Sequence, residues 1–93
     1  MDKFSIILSP KVVRDLDSFS DGILRKISKA MQILKENPFP RGKLIKKIKG
    51  ASSDFYRLRV DNYRVFYIIK GSDIVILRVL SKKDAGRFIR SLN

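Results

Sequence analysis

The chain has 93 residues, with 21 Lys and Arg against 9 Asp and Glu, for a formal charge of +12 and a pI near 10.4. It contains no Cys and no His, which excludes disulfides, thiolate sites, zinc sites, triads and histidine acid–base chemistry, so no cofactor or metal is expected. That length makes a single domain, 1–93, large enough to fold without staples. The cationic excess points to a nucleic acid, an anionic surface or a strongly acidic protein as partner. No apolar leader or bilayer-length run is present, so no membrane partner is expected and the cytoplasm is the expected compartment.

Residues 3–8 (KFSIIL) read as a short β-branched strand. Ser9-Pro10 predicts a helix start, with an N-cap hydroxyl and a proline at the first helical position. Val12, Val13, Leu16 and Phe19 recur at helical spacing and predict an amphipathic helix over 10–19. Ser20, Asp21 and Gly22 break it. Asp21 is the expected cap of a second helix, whose apolar stripe is Ile23, Leu24, Ile27, Ala30, Met31 and Leu34. The Asn37-Pro38 step ends that helix. The two helices are expected to form an antiparallel hairpin on one face of a sheet, with their stripe serving as core.

Residues 38–50 (PFPRGKLIKKIKG) predict an irregular connection, because two prolines and Gly42 prevent regular structure at its start. Leu44, Ile45 and Ile48 are expected to anchor a short strand or turn. Lys43, Lys46, Lys47 and Lys49 reach outward; such a run is commonly a solvated face, and beside an arginine face it is expected to extend one basic groove. The segment GASSD, 50–54, reads as a polar turn.

Tyr56 to Tyr67, YRLRVDNYRVFY, is a β-hairpin in which Asp61 and Asn62 tolerate the positive φ of a tight turn. A two-residue loop sets Val60 opposite Tyr63 and Arg59 opposite Arg64. One face then carries Tyr56, Leu58, Val60, Tyr63, Val65 and Tyr67 as core. The other carries Arg57, Arg59, Arg64 and Phe66. Facing arginines cost stability in a sheet, so the fold does not gain from them. Two readings of that face stand: a solvated sheet face whose long side chains splay into water, or, since the guanidiniums have an aromatic among them, a polyanion-binding surface.

Residues 74–80 (IVILRVL) form the last strand, apolar enough to be covered on both faces. A two-residue loop at Gly71-Ser72 pairs Arg78 with Val65 on the core face. An odd loop or a bulge sets it beside Arg59 and Arg64 instead, which is the expected outcome because burying an unpaired guanidinium is costly. Ser81 with Asp84 reads as a capping box, opening a final helix with Ala85, Phe88, Ile89 and Leu92 on one stripe. Lys82 and Lys83 in its first turn oppose the macrodipole and suit an anion there.

Strand, helical hairpin, three-stranded antiparallel meander and short C-terminal helix make an α+β domain. In this order, with KKIKG, YRLRV, YRVFY and VLSKKDAGR, it resembles the RelE-type toxins of type II toxin–antitoxin pairs, within the RelE/ParE superfamily. The resemblance implies an endoribonuclease that cuts mRNA on the ribosome and is neutralised by a RelB-like antitoxin. It assigns catalytic roles to Arg57, Arg59, Arg64 and Lys82 or Lys83. Lys43, Lys46, Lys47, Lys49, Phe66, Arg78 and Arg87 are the expected RNA contacts. Cleavage by the neighbouring 2′-OH needs a base, a proton donor and stabilisation of a dianionic phosphorane. Fixed guanidiniums supply the last, and a lysine crowded by cations has the lowered pKa of a base. Where many relatives carry His and Tyr after the last strand, this chain has Ser81 and Gly86, and where others keep a later tyrosine it has Phe88 and Ile89. Tyr56, Tyr63 or a ribosomal group is then the expected substitute, or the activity is weak or absent. The alternatives are a ParE-like gyrase poison and a non-catalytic, degenerate RNA-binding member.

Overall fold

The computed structural model describes residues 3–49 and 54–91. They form, in chain order, β1 (Ser5–Leu8), α1 (Pro10–Asp17), α2 (Asp21–Glu36), β2 (Ile45–Lys49), β3 (Asp54–Val60), β4 (Tyr63–Lys70), β5 (Asp73–Ser81) and α3 (Lys82–Ser91). The sheet has five strands in the order β1-β5-β4-β3-β2. β1 runs parallel to β5 and the remaining pairs are antiparallel.

Proline opens α1 as predicted, but the Ser9 hydroxyl does not cap it. It donates to the Leu77 carbonyl at 3.2 Å, tying the helix start to β5. Val12 is fully buried, whereas Val13 is 47% exposed and leaves the predicted stripe. The cap of α2 is Ser20, whose Oγ accepts from the Ile23 N–H at 3.4 Å. Asp21 sits one position further on, where its charge favours the helix dipole. Ile27, Ala30 and Leu34 are the residues α2 buries.

The predicted irregular connection is partly regular. Gly42, at φ +51°, turns the chain so that Arg41 bridges to Ile45. The sequence IKKIK then pairs with β3 as an edge strand. Of the predicted turn at 50–54, residues 50–53 lie outside the described residues and Asp54 already belongs to β3. The hairpin register is the predicted one, with Val60 opposite Tyr63 and Arg59 opposite Arg64. Only Asp61 adopts positive φ, at 55°.

Between β4 and β5 a two-residue turn and a bulge occur together, and Arg78 lies neither opposite Val65 nor beside Arg59 and Arg64 but pairs with Asp15. Gly71, at φ +59°, makes a two-residue turn with Lys70 opposite Asp73. A register shift at Phe66/Tyr67 then skips Leu77, so that Arg78 lies opposite Phe66 rather than Val65.

The sheet is covered on both faces. α1, α2, Leu58, Val65, Tyr67, Ile74, Ile76 and Val79 enclose the main core, where the Tyr67 hydroxyl donates to the Pro38 carbonyl at 2.6 Å. On the reverse face α3 lays Ala85, Phe88 and Ile89 over Phe55, Phe66 and Leu80. No helix among the described residues is long and apolar enough to cross a membrane.

Candidate nucleic-acid interface

Strand alternation puts Arg57, Arg59 and Arg64 on the reverse face, the one that α3 only partly covers. Register adds Lys46, which lies directly opposite Arg57. The same counting places Lys47 opposite Tyr56 and Lys49 on its parity, so both turn to the helix-covered side. Lys47 is also paired with Asp54 at 3.0 Å. The predicted lysine groove is therefore split by the pleat. Lys46 joins the arginines, while exposed Lys43 contributes its main-chain carbonyl, which accepts from Arg57 Nη2 at 2.9 Å.

Two other predicted RNA contacts are corrected. Phe66 is fully buried, its ring 4.8 Å from that of Phe88 and 6.5 Å from that of Phe55. Full burial of such a ring stabilises the fold by about 2–3 kcal/mol, so it is core and offers no face to a base. Arg78 is neutralised. Its Nε and Nη2 each donate at 2.8 Å to the Asp15 carboxylate, which also accepts the Val79 N–H at 3.0 Å. This bidentate pairing holds the Arg78 guanidinium above its ordinary pKa. Exposed Arg87 lines a cleft with Arg78, Asp84 and Phe88 on the β5 flank of α3. Helical spacing turns Lys82 and Gly86 to the opposite flank, towards the strands that carry the arginines.

Arg64 is the most enclosed cation, 7% exposed. Its Nη1 donates to the Asp61 carbonyl at 2.9 Å and to the Tyr63 carbonyl at 2.8 Å. Burial lowers its pKa, and the charges of Arg57 and Arg59 lower it further. Arg57 is lowered in the same way, by burial first and then by Arg59. Its Nε is sealed from solvent with no partner among the described residues. Arg57 and Arg64 thus sense their cationic neighbours, yet ordinary arginine values are so high that both stay charged at neutral pH. Lys82 and Lys83 are exposed at the start of α3, where Ser81 Oγ accepts from the Asp84 N–H at 3.2 Å as the predicted cap.

No phenol stands among these cations. Tyr56 stacks on Tyr67 at 5.5 Å and Tyr63 meets Phe19 edge-on at 5.0 Å, both in the helix-covered layer. Both lie on the sheet face opposite the one that carries Arg57, Arg59 and Arg64. A Cβ at Gly86 would have Arg90 Nη1 at 3.6 Å as its nearest neighbour, so a cation reaches back over the place a side chain would take. The i, i+4 spacing of Gly86 and Arg90 is the sequence signal for that contact. No cluster of metal-ligating side chains is present among the described residues.

Two helices lie on one face of a five-stranded sheet, and a strip of arginines lies beside a terminal helix on the other. Residues 6–86 match the family described as ParE toxin of type II toxin–antitoxin system, parDE. Over 86 residues the chain is 34% identical to the RelE1 protein of Methanocaldococcus jannaschii, covering 90% of this chain and 94% of the relative. A chain of the archaeal RelE–RelB complex from Pyrococcus horikoshii OT3 superposes with a TM-score of 0.73 at 28% identity, over 86% of this chain and 96% of that one. A chain of the RelB–RelE antitoxin–toxin complex from Methanococcus jannaschii does so at 0.69 and 30% identity, over 88% and 96%. The chain belongs to the RelE/ParE family of toxins of type II toxin–antitoxin systems.

Proposed function

We propose that this toxin is an endoribonuclease that cleaves mRNA on the ribosome, acts in the cytoplasm, and is neutralised by a RelB-like antitoxin. The observation that carries the reading is the strip of Arg57, Arg59 and Arg64, with Lys46 beside it and Lys82 at its edge. Like charges packed this closely work against the fold and suit a phosphate whose negative charge increases during reaction. The 2′-oxygen attacks the adjacent phosphorus while its proton passes to a base, Lys82 or Lys83. The bond from phosphorus to the 5′-oxygen then breaks, and that oxygen takes a proton from solvent or a ribosomal group. The products are a 2′,3′-cyclic phosphate and a 5′-hydroxyl. The arginines stabilise the dianionic phosphorane between these states. The RelB complexes of the solved relatives support an antitoxin partner for this chain.

A second reading, a gyrase-directed toxin, is favoured by the parDE description of the matching family and by the lack of a phenol on the arginine face. Purified components separate the two. The nuclease reading expects cleavage of mRNA on programmed ribosomes and no effect on supercoiling by gyrase. Intact mRNA together with inhibited supercoiling would overturn it.

A further inference from the structure

The turn at Asp61-Asn62 meets three separate elements. Asp61 Oδ2 accepts from Lys26 Nζ of α2 at 2.7 Å. The Asp61 carbonyl accepts from Arg64 Nη1 of β4 at 2.9 Å, and the Asn62 carbonyl accepts the Lys82 N–H of α3 at 2.7 Å. The two main-chain oxygens of one tight turn therefore hold the most enclosed cation of the strip and the first residue of the helix that borders it. With the Tyr63 carbonyl as second acceptor, both Nη1 hydrogens of Arg64 are committed to the protein. Its Nε and Nη2 have no hydrogen-bond partner among the described residues. They form the edge of the guanidinium that matches two phosphate oxygens.

We infer that Asp61 is a positioning residue for cleavage, acting through its main-chain conformation. Its φ of 55° aims the carbonyl at Arg64 and turns the free Nε–Nη2 edge towards the scissile phosphate. An aspartate tolerates that φ, and a β-branched residue does not. The Lys26 contact is a brace of secondary weight, because both side chains are more than 60% exposed. The inference rests on the nuclease reading above.

Asp61→Gly and Asp61→Val test it, since both remove the carboxylate and free Lys26 but only glycine accepts the φ. Three quantities are measured on each: thermal midpoint, the slowly rotating Nη hydrogens of Arg64 by NMR, and kcat and KM on programmed ribosomes. The expected result is that Asp61→Gly keeps the Arg64 signals and stays within about twofold of the parent kcat, since the geometry survives. Asp61→Val is expected to lose the signals and about tenfold or more in kcat, with KM nearly unchanged, as when an interaction specific to the transition state goes. If Asp61→Val does not fold, Asp61→Thr, also β-branched, takes its place with the same expectations. Signals lost with kcat intact, kcat lost with signals intact, or equal losses in Gly and Val would each overturn the inference in a parent that cleaves. A parent that leaves mRNA intact refutes the nuclease reading, and the inference with it.

Discussion

In the proposed nuclease, Arg64 would combine the site's chemistry with part of the fold's stability in one side chain. The sequence placed it opposite Arg59 with no stabilising pair, yet its Nη1 bonds to the Asp61 and Tyr63 carbonyls. Arg64→Ala should therefore abolish growth inhibition and also cost about 1–3 kcal/mol of stability, measurable by denaturant titration. Arg64→Lys keeps the charge but cannot hold two carbonyls and still present a planar edge, so it should restore little activity. Arg64→Ala that inhibits growth as strongly as the parent contradicts the assignment. Gly86 poses the complementary test. A Cβ there meets only the flexible end of Arg90, so Gly86→Tyr starts without a clash and is expected to add a phenol beside Lys82. A positioned acid is typically worth about 10²–10⁴-fold in rate. Cleavage by Gly86→Tyr should exceed that of Gly86→Ala, the control for a helix gain of about 0.5–1 kcal/mol. Equal cleavage by the two variants would reduce the effect to helix propensity.

At the scale of elements, α1 finishes the sheet where β1 stops. The parallel ladder ends at Leu8 opposite Ile76. Beyond it Ser9 Oγ and Asp15 satisfy the Leu77 carbonyl and the Val79 N–H. Asp15→Asn removes the hydrogen-bonded counter-charge of the partly buried Arg78, leaving only the weaker field of Asp84, and should destabilise the protein by about 1–3 kcal/mol, lowering the denaturation midpoint at constant slope. A shift no larger than that of a surface substitution would mean that α1 holds β5 by apolar contact alone. None of this was legible in the chain, because Asp15 and Arg78 are 63 residues apart and nothing local marks the pair. The hairpin was legible to the residue, since strict alternation and a two-residue turn leave one register. That is why Arg57, Arg59 and Arg64 were found together. Alternation assigns faces but does not say what covers them. Phe66 therefore read as an exposed ring until α3 was placed over it. Lys47 and Lys49 read as one run with Lys46 until pairing fixed their parity.

For the whole molecule, the formal charge of +12 is a long-range field that suits both an RNA and an acidic antitoxin segment. Association with the antitoxin should be fast at low salt and slow markedly as ionic strength rises through the range where the Debye length falls below about 10 Å. A rate indifferent to salt would place first contact away from the basic surface. The two partners compete for one cationic face in this account, so neutralisation and cleavage should exclude each other. The central claim is tested most directly by mapping mRNA 5′ ends across the transcriptome after brief expression of the toxin. The expected result is new ends confined to translated regions, spaced by the codon period, absent with Arg64→Ala and absent when initiation is blocked. Growth arrest with intact transcripts, or ends that persist without translation, would contradict it.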